Sequence, residues 1–383
     1  MSRLALLDRI RERLEPGFHC SRPLVLLQSD DWGRVGVRDA EGLEELRRGG
    51  LNLGERPYDL YSMETAGDVL ELVDCLRSVR DSTGASPSLE MNFLVANLDF
   101  AATTAAGFRE IAIKPLADGL PGKWLRPGLL DAYREGSASR VLAPALHGST
   151  HFCRPAVEAA LLEQGERAQR LQTLWAAETP YIHWRMPWVG YEYWHPERPE
   201  QERFLTPAEQ AQWIGWAVNS YRQVFDQEPV SACAPGYRAN ATTHRLWAQH
   251  GIRVAQSGTG RVRAPHRDAN ELLHTYRSID FEPALQPDRQ WEDAAREAGK
   301  WLERGLPFII STHSINFQST LAPNRQRTLP MLRNLLLALV KRYPDVLFVN
   351  SRQLHEIVNA GSYEAPGGRI SVTVTRSRTG TGA

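Results

Sequence analysis

Apolar, strand-like runs recur along this chain with helical patterns between them, and that alternation restricts the fold more than any other feature. Leu24–Gln28 is the first run, and 89–95 follows a helical stretch near 65–80. The run at 141–147 leads into an amphipathic pattern over 154–178 with Pro155 in its first turn. The run at 230–237 precedes a helix over 240–251 with an Asn or Thr cap and a Gly stop, and 253–257 comes next. The run at 306–313 lies between helical stretches at 288–304 and 328–342, and 346–350 ends in a short helix over 351–358 capped by Ser351. About seven strand–helix alternations with buried apolar strands mean a parallel α/β sheet. Periodicity does not separate an open doubly wound sheet from a closed barrel. The 383 residues would suit two domains, but α/β barrels reach this size as one.

Several function classes drop out early. Lys+Arg and Asp+Glu are both 45, and no basic tail is present, so the generic electrostatic case for nucleic acid fails. Cys20, Cys75, Cys153 and Cys233 are far apart and form no CxxC pair, which argues against a disulfide scaffold or zinc knuckle and for reduced thiols in the cytoplasm. Leu4, Leu7, Ile10 and Leu14 predict an amphipathic helix over 1–20, without the apolar core of a secretory signal. No run approaches the roughly 18 apolar residues of a membrane span. The expected organisation is that helix, a catalytic unit over 21–362, and a tail over 363–383 with a short edge strand near 370–374 and a disordered end.

In parallel α/β folds ligands sit at the carboxyl ends of strands. Those ends carry Asp30–Asp31, then "HGSTH" with His147 and His151, then "APGYR", then "STHSIN" with His313. Two carboxylates, three histidines and an arginine therefore converge on one rim. Histidines at i and i+4 on a helical turn face the same way and suit two ligands on one metal. Asp31, from a distant strand, can complete a His–His–carboxylate set with an open position for water. Asp30 is then left to take a proton from that water. Adjacent aspartates at the end of an apolar strand are tolerable if a cation lies between their tasks.

"SDDWG", "HGSTH", "APGYR" and "STHSIN", in that order, resemble the ordered motifs of the polysaccharide deacetylases, carbohydrate esterase family four and its relatives. The resemblance spans roughly Leu24 to Val358. It implies a distorted (β/α)7 barrel and metal-dependent hydrolysis of an N- or O-acetyl group on a sugar. Carried over by position, it makes Asp30 the general base, Asp31, His147 and His151 the metal ligands, and His313 the general acid. The backbone N–H near Tyr237 would help hold the oxyanion. The metal implied is divalent, Zn2+ first, with Co2+, Mn2+ or Ni2+ as alternatives. The family also places an arginine before the Pro-Tyr turn to orient the base. Cys233 and Ala234 stand there in this chain, so Arg238 is expected to reach the base from the other side, with Arg185 as its competitor. The acid expected behind the catalytic histidine is Asp280 of "YRSIDFEP".

Tyr181, Trp184, Trp188, Tyr191, Tyr193 and Trp194 fall within 14 residues. Such rings beside a metal rim would stack on sugars, although each singly is as readily core. Trp32, between Asp31 and Gly33, is the first candidate for a substrate-facing ring, with Trp184, Arg185, Trp188, Tyr237 and Asn316 as further substrate contacts. Asn316 is equally suited to cap the next helix. The expected partner is a saccharide: a sugar nucleotide, a lipid-linked saccharide or an oligosaccharide. Two rivals are a metal-dependent amidohydrolase acting on a non-sugar amide and a catalytically inactive glycan-binding protein. A transferase is disfavoured because no nucleotide-binding glycine loop is present.

Overall fold

The computed structural model describes residues 18–258, 262–365 and 368–373. The helix expected over 1–20 falls outside them except at its end, where His19–Cys20 form a strand. One sheet contains ten strands. They are β1 (Leu24–Trp32), β2 (Leu89–Leu94), β3 (Leu142–Gly148), β4 (Ser231–Cys233) and β5 (Val254–Ser257). After these come β6 (His266–Arg267), β7 (Leu273–Tyr276), β8 (Ile279–Asp280), β9 (Phe308–His313) and β10 (Leu347–Phe348). The order is β8-β9-β1-β2-β3-β4-β5-β7-β6, with β10 pairing the first residues of β1. Every pairing is parallel except β6 with β7.

The sheet closes on itself through one short passage. β7 and β8 belong to opposite margins, yet only Arg277 and Ser278 separate them in the chain. The Arg277 N–H donates to the Ser257 carbonyl at 3.2 Å, and the next N–H, that of Ser278, donates to the Ile309 carbonyl at 2.7 Å. A single extended segment thus bridges β5 and β9, and the result is the distorted barrel expected. The run at 253–257 was the last strand expected before 306–313; β6, β7 and β8 lie in that interval. They are two to four residues long and carry no long apolar run.

Strand patterning explains the two-layered core. Leu24, Val25, Leu26 and Leu27 are all buried, as a strand covered on both faces requires. Burying each such side chain contributes ~1.5–3 kcal/mol. The barrel interior beneath the rim is polar: Gln28, Glu90, Asn92, Ser231 and Gln256 are buried and hydrogen-bonded to one another. The helix expected over 154–178 is two helices, Arg154–Leu162 and Glu166–Ala176, with Gly165 as the N-cap of the second. The strand expected near 370–374 is present as Gly368–Thr373, but it is not an edge: it lies between Ser362–Ala365 and His19–Cys20 in a separate three-stranded sheet.

Candidate active site

Asp30 and Asp31 are neighbours in a strand, so a regular pleat would send them to opposite faces. The backbone breaks that rule. The pairing register of β1 with β2 shifts between Ser29 and Trp32, and Asp31 has φ of 70°. This bulge turns both carboxylates toward one cavity at the barrel mouth. Tyr61 Oη and Ser314 Oγ donate to the Asp31 carbonyl at 2.7 and 3.1 Å and hold the bulge in place. The bulge also sends Trp32 inward. Trp32 is fully buried against Phe317, so it is not the substrate-facing ring expected.

Asp30 is fixed on all sides. Arg277, at the barrel closure, donates through Nη1 to Oδ2 at 2.6 Å and through Nη2 to Oδ1 at 2.5 Å. Asn92 Nδ2 donates to Oδ1 at 2.7 Å. Burial alone would raise the Asp30 pKa, but Arg277 first, then His147 and His313, hold it well below the usual carboxylate range. The arginine that contacts this carboxylate is therefore Arg277 and neither of those expected. Arg238 is exposed, with its guanidinium 4.6 Å over the Trp194 ring. Arg185 is tied to buried Asp59 at 2.8 Å and does not line the cavity.

Across the mouth, His313 Nε2 lies 3.9 Å from Asp30 Oδ2. Its Nδ1 contacts Glu282 Oε1 at 2.6 Å. Burial lowers the His313 pKa, but Glu282 more than offsets this and pushes it up to about 9. The acid behind His313 is thus Glu282, two residues beyond the expected Asp280. Asp280 pairs with Ser311 across β8 and β9, and its carbonyl accepts from Arg289. Asn316 is buried; its amide donates to Glu282 and to Thr312 Oγ1, and its Oδ1 accepts from the Ala284 N–H at 2.9 Å. It positions Glu282 and is neither a substrate contact nor a helix cap.

His147 and His151 converge on Asp31, though not from the helical turn expected. β3 ends at Gly148, and the helix begins only at Arg154. The intervening loop is pinned by buried Glu192, whose Oε1 accepts from the N–H groups of Ser149 at 2.7 Å and Thr150 at 3.3 Å. Gly148 has φ of 125°, and a Cβ there would sit 2.0 Å from Glu192 Oε2. The Nε2 atoms of His147 and His151 lie 3.8 and 3.5 Å from Asp31 Oδ1. His147 Nδ1 is 2.7 Å from the Cys233 carbonyl, which only accepts, so that nitrogen carries the hydrogen and Nε2 keeps its lone pair. Burial lowers the pKa of both histidines, so both are neutral at pH 7. Asp31 is raised by burial but held at about 2 by Arg34, then His151, His313 and His147. One ionised carboxylate and two neutral imidazoles, with ligand atoms within 4.8 Å of one another, fit a divalent cation of the Zn2+ type. Cys233, near Asp30 and His147, does not join them: burial keeps it a thiol, and Asp30 is already paired with Arg277.

The cavity measures about 260 Å³ and is lined by Arg34, Tyr58, Tyr61, Tyr181, His183 and Tyr191 besides the groups above. Tyr237 lines it too, and its hydroxyl accepts from Arg277 at 2.7 Å. The Tyr237 N–H donates to the Ala234 carbonyl at 2.8 Å, so it is spent within its own turn and not offered to an oxyanion. Trp184 reaches the cavity, but Arg56 and Arg185 lie over its ring at 4.2 and 4.4 Å and its Nε1 donates to Asp59. Trp188 packs against the core under Arg167, away from the cavity. Of the six rings expected as a platform, Tyr181, Trp184 and Tyr191 line the cavity, while Trp188, Tyr193 and Trp194 do not. Arg277, Glu282, Asn92, Glu192 and Arg34 escaped the sequence reading. Asn92 had a signal: Glu90 and Asn92 alternate in "LEMNFLV", the mark of a polar strand face.

No family model and no curated protein matches the chain. Solved structures do. A provisionally assigned glycoside hydrolase/deacetylase from Parabacteroides distasonis shares 12% identity over 92% of this chain and 74% of its own, with a TM-score of 0.51. A provisionally assigned polysaccharide deacetylase from Mycobacterium smegmatis shares 13% identity over 95% and 96%, at a TM-score of 0.46. A family 4 carbohydrate esterase from Streptomyces lividans shares 12% identity over 85% and 91%, at 0.35. The first likeness is close enough in superposition to speak to architecture, and at 12% identity it speaks to nothing else. The chain has the fold of that glycoside hydrolase/deacetylase.

Proposed function

We propose that this protein is a metal-dependent hydrolytic deacetylase that removes an N-acetyl or O-acetyl group from a saccharide. One observation carries the reading: Asp30 and His313 face each other at 3.9 Å beside a three-donor ligand set. Asp31, His147 and His151 would hold the ion, Zn2+ by donor type, which when bound supplies Lewis-acid polarisation of the acyl oxygen and a more acidic water. Asp30 accepts the proton that water loses as its oxygen bonds to the acyl carbon. His313 gives its Nε2 proton to the sugar nitrogen or oxygen as the acyl bond breaks, so acetate and the free amine or hydroxyl leave. Arg277 keeps Asp30 ionised, and Glu282 keeps His313 protonated. Both shifts fix the protonation state from which each task starts, Asp30 ionised and His313 protonated.

A second reading has one observation in its favour. Trp184 in the cavity is covered by arginines, and the tyrosines there stand beside half-buried Arg34, which suits a small polar amide as well as a sugar. In that case the same residues hydrolyse a non-sugar amide. The test is acetate release from N- and O-acetylated sugars against ring opening of cyclic amides, with and without a chelator. Release from sugars that chelation stops supports the first reading. Turnover of cyclic amides alone transfers the chemistry to the second.

A further inference from the structure

The described residues gather a second set of ligand-type side chains away from the catalytic rim. His244 lies on the helix Ala241–Gln249, Asp268 follows β6, and His274 lies in β7. Their ligand atoms fall within 4.8 Å of one another. Local structure aims each group. Asp268 Oδ1 accepts from the N–H groups of Asn270 and Leu272 at 2.8 and 3.0 Å, which pins the carboxylate. Its Oδ2 takes Asn270 Nδ2 at 3.2 Å and lies 3.1 Å from His274 Nε2. The antiparallel register sets His266 opposite His274, and the two rings stack at 5.0 Å. That stacking fixes the His274 ring plane. His244 meets its edge at 4.7 Å.

His274 is 7% exposed, and its Nε2 has no hydrogen-bond partner among the described residues. The 3.1 Å approach to Asp268 lacks hydrogen-bond alignment. A buried nitrogen beside a carboxylate oxygen, close but unbonded, is costly unless a third atom engages both. Two ligand atoms on one zinc ion, at bonds of about 2.0–2.1 Å and tetrahedral angles, stand roughly 3.3 Å apart. The observed spacing fits that arrangement. Among the described residues the other charged group lining this cavity is Arg263, whose guanidinium is 5.1 Å over the Tyr276 ring.

We propose that His244, Asp268 and His274 form a second divalent-cation site, of the Zn2+ class, distinct from the set at Asp31. Three protein donors leave a position for water or for an oxygen of a bound molecule. The triad lines an open cavity of about 790 Å³ that shares Tyr237 with the acid–base cavity, so a molecule reaching from one to the other would pass that ring.

The test counts ions. Full-length protein is equilibrated with Zn2+, desalted and measured by elemental analysis as wild type, Asp31→Ala, His244→Gln, Asp268→Asn and the Asp31→Ala/His244→Gln double variant. The expected content is two equivalents, then one in each single variant, and none in the double. Co2+ loading adds a spectral readout: His244→Gln removes one set of d–d bands and leaves the other. His244 is half-buried on a helix, so Gln keeps the fold, and a circular-dichroism melt confirms it. Asp268→Asn, isosteric, stands in should His244→Gln unfold. A wild-type content unchanged in both folded variants overturns the proposal. If Asp31→Ala keeps the wild-type content while His244→Gln loses one equivalent, the proposal stands and the ligand set at Asp31 falls.

Discussion

The two halves of the barrel rim are built on opposite terms. On the Asp30 side the polar groups of Asp30 and His313 are met by the protein itself: Arg277 and Asn92 hold Asp30, and Glu282 and Asn316 back His313. On the Asp31 side, the Nε2 atoms of His147 and His151 stand 3.8 and 3.5 Å from Asp31 Oδ1, beyond a normal hydrogen bond, and His151 Nδ1 has no partner among the described residues. The first arrangement suits groups that must keep a protonation state. The second suits groups that must share one cation. The difference makes each half breakable in its own way.

The harshest break is on the ligand side. Asp31→Ala removes the one anionic donor and leaves two neutral imidazoles. It is expected to empty that site and lower hydrolysis by about 10⁴-fold or more, since an ion of this kind contributes several kcal/mol to the transition state. Elemental analysis alongside an acetate-release assay checks it. Retained turnover without bound metal would dissolve the contrast between the halves. Asp30→Asn is the matching change on the other side: the metal content stays, and kcat falls about a thousandfold. If the two losses come together, with the metal gone in both, the halves are not independent.

Arg277→Met tests what holds Asp30. It leaves a buried carboxylate without its counter-charge, which costs roughly 3 kcal/mol in urea unfolding. It also raises the Asp30 pKa, because Arg277 is the strongest opposing influence after burial. Asp30 works as the anion, so the acid limb of the pH–rate profile moves to higher pH. An acid limb that stays put would detach Arg277 from the base.

What the sequence disclosed and what it hid follow the same geometry. Asp30, Asp31, His147 and His313 could be read because each lies at the end of an apolar strand, and His151 because it follows one by three residues, where a parallel barrel opens to solvent. Arg277 and Glu282 could not, because the strands beside them are two and four residues long and mix His, Thr and Tyr with the apolar residues. Their position depends on which strands meet when the barrel closes, and that is a tertiary fact. Trp32 was misread for a local reason: a bulge at Asp31 reverses the alternation just where the argument relied on it. The tryptophan cluster failed because arginines cover Trp184 and Trp188 packs away from the mouth.

Glu282→Gln is a gentler probe of the acid. Glu282 is what raises His313 to about 9 against the opposing effect of burial. The raised pKa belongs to the folded state, so the pair's stabilisation is full below the ordinary histidine value and is lost as pH rises through about 9. Without Glu282 the basic limb of the rate profile should move down toward neutrality, with roughly a tenfold loss of kcat at pH 8. A basic limb unchanged in Glu282→Gln would mean another group donates the proton.

Arg238→Ala should do least, and for that reason it sharpens the contrast most finely. Arg238 is exposed and stacks over Trp194, with Arg277 already occupying both oxygens of Asp30. Surface changes of this kind stay within about 0.5 kcal/mol, near twofold in rate. The acid limb should not move, in contrast to Arg277→Met. Should Arg238→Ala shift that limb as far as Arg277→Met does, Asp30 would answer to the turn that bears Arg238 as well as to the strand passage that closes the barrel, and Arg277 could no longer be treated as the arginine that sets its charge.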